Sequence, residues 1–168
     1  MRGAITSQIL VAGIGNIFLG DDGFGPEVMR HVPEHIAGPR VRVVDYGIRG
    51  MHLAYDLLDG CDALVLVDAI PDRGCPGEVR IFEIDHESPA PATALDAHGM
   101  DPNAVFASLR ALGGIPPRTV VVGCQVHDVA DGIGLSAPVR AAVPGAVRAV
   151  EQAVAMLRAQ EAVSGRAD

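Results

Sequence analysis

The sequence predicts a three-layer α/β/α domain around a mainly parallel sheet of five strands, and three observations predict it. Short apolar runs of strand length alternate with segments whose apolar residues recur three and four apart. One run, residues 63–67, is continuously apolar between turn signals, as befits a central strand covered on both faces. A glycine-rich stretch, Gly13-Ile-Gly-Asn-Ile-Phe-Leu-Gly-Asp-Asp-Gly-Phe-Gly25, joins the first strand to the first helix, where open α/β sheets place ligand sites.

Residues 1–7 read as a polar leader, and 8–13 as the first strand. The helix after the glycine-rich turn is expected over 23–34, with Val28, Met29, Val32 and Ile36 on one face. Pro26 fits only in its first turn, where no intrahelical N–H is lost. His31 and His35 stand one turn apart but lack the glutamate of an H-E-x-x-H pair, so both are expected to be solvated. The second strand is 41–46. The second helix, 51–58, turns Leu53, Ala54, Leu57 and Leu58 inward and stops at Gly60. The third strand, 63–67, ends in Asp68. A turn over 71–77 leads to a fourth strand of alternating residues, Val79 to Ile84, two-sided enough to lie near an edge. Residues 85–97 form a long loop that delivers His98 just before Gly99 and a helix over 102–112. The fifth strand is 119–124. Ser136 is expected to cap a helical segment with Pro138 in its first turn; Pro144 restarts it, and the final helix, 144–159, packs Val147, Val150, Val154 and Leu157. Residues 162–168 are expected to fray. No repeat or linker divides the chain, so residues 1–168 read as a single domain.

Composition narrows the function. A net charge of −8 argues against nucleic acid and anionic membrane as partners. The apolar run near the N-terminus is too short to span a bilayer and has neither the basic region nor the cleavage site of a signal peptide, so a cytoplasmic protein is expected. Cys61, Cys75 and Cys124 form no C-x-x-C pair and read as small packing residues.

The glycine-rich turn disfavours two ligand classes. A dinucleotide fingerprint requires a third glycine where Phe18 stands, and a phosphate loop requires Lys and Ser or Thr where Asp21 and Asp22 stand. Those carboxylates repel phosphate and compete for the amides that would bind it. One of the two is expected to be the helix N-cap, which leaves the other to a cation or a proton. Asp68, at the end of a buried strand, either accepts backbone N–H bonds or sits where α/β folds collect catalytic groups. If the loops after the first, third and fourth strands meet over one edge, Asp22, Asp68 and His98 converge. Two carboxylates and an imidazole suit Zn²⁺, Ni²⁺ or a similar divalent ion. Three protein ligands leave room for water or substrate, the arrangement of a metal-assisted hydrolase.

The same glycine-rich stretch closely resembles the N-terminal signature of the nickel–iron hydrogenase maturation endopeptidases. Val43-Val-Asp-Tyr-Gly-Ile-Arg-Gly50 and Leu66-Val-Asp-Ala69 resemble that family's next blocks, and His98-Gly99 its histidine segment. Gly123-Cys-Gln125 and Gly134-Leu-Ser-Ala-Pro138 resemble its C-terminal block. The resemblance implies a three-layer fold with a twisted five-stranded sheet. It implies removal of a C-terminal extension from a hydrogenase large-subunit precursor once nickel has been inserted. It puts the metal-contacting residues at Asp22, Asp68 and His98, with Asp22 at a position that is Glu in some members. Asp45 falls on a recurrent acidic position with a supporting or substrate-orienting role, and Asn16 joins it as a substrate-binding residue. The metal in this reading is nickel supplied by the substrate, with Zn or another divalent ion able to substitute; the partner is the precursor. A non-catalytic maturation chaperone that binds the same metal centre, and a nucleotide-binding enzyme, are the rival expectations.

Overall fold

A computed structural model describes residues 8–88 and 101–164. Five strands, β1 (Ile9–Ile14), β2 (Val41–Gly47), β3 (Ala63–Ile70), β4 (Val79–Ile84) and β5 (Arg118–Gln125), form one sheet in the order β2-β1-β3-β5-β4. All neighbours are parallel except β4, which runs antiparallel to β5 at the edge. Four helices cover it: α1 (Phe24–His31), α2 (Gly50–Leu58), α3 (Pro102–Ala111) and α4 (Ala137–Ser164).

Strand alternation sorts the core into two layers. Val11, Val65, Val67 and Val122 face α1 and α4, meeting Phe24, Val28 and Val150. Leu10, Leu64, Leu66 and Val121 face α2 and α3, meeting Leu53, Phe106 and Leu109. Every residue of β1 and β3 is buried, as their apolar sequences require.

Several expectations need correction. The first helix is shorter than 23–34: a 3₁₀ turn at Gly20–Gly23 precedes α1, and Val32 is already extended, with ψ 124°. Pro33 forces this, because its ring disfavours helical backbone in the residue before it. Ile36 reaches the core from a separate 3₁₀ turn, Glu34–Ile36. Leu58 is exposed rather than inward. The third strand does not end at Asp68 but continues through Ala69 and Ile70, which pair with Cys124 and Gln125. The last helix is one continuous element with Pro144 inside it. Pro144 removes one helical hydrogen bond, but Val143, Ala146, Ala149 and Val150 are buried around it, and that packing carries the helix through. Residues 162–164 belong to this helix, whereas 1–7 and 165–168 lie outside the described residues.

Candidate active site

The site begins where α1 is pressed onto the ends of β1 and β3. Gly25 makes this possible: a Cβ there would lie 2.2 Å from the Ile14 carbonyl oxygen and 2.5 Å from that of Val67. Gly15 has φ +141°, and a Cβ on it would lie 2.0 Å from the Asp22 carbonyl oxygen. With no side chain at either position, the 3₁₀ turn carrying Asp21 and Asp22 folds down against the carboxyl end of the sheet.

The adjacent aspartates diverge, and neither caps a helix as expected. Asp21 is fully buried and binds across the fold: Oδ2 accepts the His127 and Asp128 N–H groups at 2.8 and 2.9 Å and the Ser136 hydroxyl at 2.8 Å, and Oδ1 accepts the Ser136 N–H at 2.7 Å. Burial pushes its carboxyl up, but the bonds from Asp128, Ser136 and His127 outweigh that and hold it below the ordinary value. Ser136 therefore turns its hydroxyl to Asp21 rather than serving only as the α4 cap. Asp22 is also buried and accepts the Asn16 N–H on Oδ2 at 2.8 Å. The Asn16 side chain accepts the Phe18 N–H at 2.9 Å and braces this turn.

Asp68, on β3, is buried next to this turn. Burial raises its carboxyl well above the ordinary carboxylate value, and the charge of Asp22 raises it further. The Ala69 N–H pulls the other way, and Asp101 adds a third negative charge. Backbone bonding thus supplies only a part of what Asp68 needs. Two buried carboxylates within electrostatic reach require a proton or a cation, so the donor set fits a divalent ion.

The expected third ligand, His98, lies outside the described residues. Among the described residues, no three His, Cys, Asp or Glu side chains form a metal cage. The route by which the chain returns to the site differs from the expected one. Because β4 is antiparallel, the loop after it leaves the sheet beside Thr119, at the end away from Asp68. The chain is back at the site by Asp101, which caps α3 by accepting the Asn103 N–H at 2.8 Å. Asp101 was missed by the sequence reading, although an aspartate before proline and an apolar helix is a start signal.

Asp45 is exposed at the end of β2; its Oδ1 accepts the Gly47 N–H at 2.9 Å, and it lines a groove beside the turn. Gln125 is fully buried, and its Oε1 accepts the Arg73 and Cys75 N–H groups, fixing the turn after β3. All three cysteines are free. Burial and the Asp21 charge push the Cys124 thiol up to about 12, so it is no thiolate nucleophile. His31 and His35 are exposed as expected, with His31 3.1 Å from Glu27. No helix among the described residues is long and apolar enough to cross a membrane.

Comparison with known proteins places the fold and the family. Residues 26–153 match the HycI family of hydrogenase maturation proteases. The chain is 32% identical over 154 residues to the hydrogenase 2 maturation protease of Escherichia coli, covering 90% of this chain and 91% of that one. It is 34% identical to the hydrogenase expression/formation protein HupD of Rhizobium leguminosarum bv. viciae, covering 90% and 74%. The solved structure of the hydrogenase maturating endopeptidase HybD from E. coli superposes with a TM-score of 0.70 at 32% identity, covering 91% and 93% of the two chains. A family match across most of its length, on the expected fold, makes this chain a member of the hydrogenase maturation protease family.

Proposed function

We propose that this protein is the endopeptidase that removes the C-terminal extension of a nickel–iron hydrogenase large-subunit precursor after nickel insertion. The observation that carries the reading is the pair of buried carboxylates, Asp22 and Asp68, held in electrostatic contact where β1 and β3 end. Such a pair is costly when both members are ionised, unless a cation joins it. His98 is proposed as the third ligand; in the chain it precedes Asp101 by three residues, a reach of at most about 11 Å.

In this reading the nickel belongs to the substrate, and Asp22, Asp68 and His98 complete its coordination. Zn²⁺ or another divalent ion could take the same ligands. An ion so held polarises a peptide carbonyl or activates water. The protein contributes a fixed geometry: Asn16 holds Asp22 by its N–H, and Asp45 at the rim orients the substrate. Precursor without nickel brings no ion to the two carboxylates and is left uncut.

The test is a mass-spectrometric cleavage assay on the co-encoded large-subunit precursor, with and without nickel inserted. Loss of a C-terminal peptide from the nickel-loaded form alone is expected. Asp22→Asn and His98→Gln should fold and lose processing. Cleavage of both precursor forms would remove the nickel dependence, and binding without cleavage would leave a chaperone.

A further inference from the structure

A groove of about 920 Å³ runs between α1 and α4, with Gly20 and Gly23, the residues flanking the two aspartates, in its wall. Both helices start at the Asp21 knot, α1 just after it and α4 at Ser136, so the groove leads away from the site between them. Its apolar lining comes from Pro26, Val143 and Val147. At the loop end stand Ile17 and Ile133, exposed at 48% and 78%, on two loops joined by the Leu19–Gly132 bridge.

The charge around it contrasts with the rest of the chain. The protein carries −8 overall, yet three arginines, Arg30, Arg140 and Arg148, line the groove against two acids, Glu27 and Asp45. Glu27 is already engaged by Arg30 and His31, at 3.2 and 3.1 Å. Arg148 is in no ion pair among the described residues. An apolar channel with cationic walls suits an extended peptide bearing carboxylates.

We infer that the α1–α4 groove docks the stretch of precursor adjoining the cut bond as an extended, apolar segment carrying acidic side chains. This rests on the reading of the protein as the processing endopeptidase. Apolar side chains lie on Pro26, Val143 and Val147, and carboxylates face Arg140 and Arg148.

The probe is a fluorescein-labelled synthetic peptide spanning the cut region of the co-encoded precursor, titrated with the full-length protein by anisotropy. Arg148→Glu should weaken binding about tenfold and Arg148→Lys should restore it. Binding should weaken severalfold between low and about 0.5 M salt. Circular dichroism confirms that each variant is folded. Equal affinity for wild type and Arg148→Glu, or no binding, overturns the inference. So does dimerisation through this face without peptide binding, which would give the groove to a second copy. Cleavage of nickel-loaded precursor, followed in parallel, separates the two readings. Equal cutting by wild type and Arg148→Glu discards the groove and keeps the protease; charge-dependent peptide binding without any cutting does the reverse.

Discussion

Asp21 and Asp68 are buried alike, yet their environments drive them in opposite directions. Asp21 has three backbone N–H donors and a hydroxyl, so its folded carboxyl lies below the ordinary 3.8. Its stabilisation is fully present above that value and is lost as pH falls through the lowered one. Asp68 is raised, so its ionisation costs stability as pH climbs from 3.8 through the folded value, and the cost is complete above it. Asp68→Asn should abolish processing yet stabilise the isolated protein at pH 7 by about 1–2 kcal/mol. Urea unfolding between pH 4 and 8 would show the wild-type decline missing in this variant, and a less stable variant at pH 7 would contradict the assignment. Asp21→Asn places an amide against N–H donors and should cost about 3 kcal/mol, a Tm loss of about 6–12 °C by calorimetry. The sequence made the adjacent Asp21 and Asp22 visible and pointed Asp22 to a cation, but it did not show what Asp21 does. The partners of Asp21 lie more than a hundred positions away at His127, Asp128 and Ser136, and no local pattern encodes that pairing.

At the scale of elements, α1 is positioned by what is missing from it. Gly25 lets backbone touch backbone at Ile14 and Val67, and that approach sets Asp22 over the strand ends beside Asp68. Gly25→Ala should push α1 outward at a cost of about 3 kcal/mol, as overpacking does. Processing should fall more than stability alone explains, because the carboxylates separate. Thermal unfolding together with cleavage rates would check this; an unchanged rate at permissive temperature would mean that α1 does not set the geometry. Element types were legible from apolar spacing, and the covered strands most of all. Boundaries were less so, because prolines act by context. Pro33 ends α1 through the residue before it, whereas Pro144 is carried through α4 by the buried residues around it.

Across the whole molecule, β3 lies at the centre between β1 and β5, and β4 closes one edge in the opposite direction. The slowest-exchanging amides should therefore belong to β1, β3 and β5, with β4 exchanging faster. Native-state hydrogen exchange read by mass spectrometry would show it, and a protected β4 would contradict it. The alternation of strands and helices announced the three layers. It did not announce the reversal of β4, because edge strands are read by the same two-residue period in either direction. The long-range tie of Asp21 also governs when the site can form during synthesis. Asp21 waits for a serine 115 positions further along, so a chain still emerging from the ribosome holds Asp22 on an unfinished turn. If Asp22 serves the proposed cleavage, its turn is completed only once Ser136 has been made, and a shorter nascent fragment would lack that fixed carboxylate.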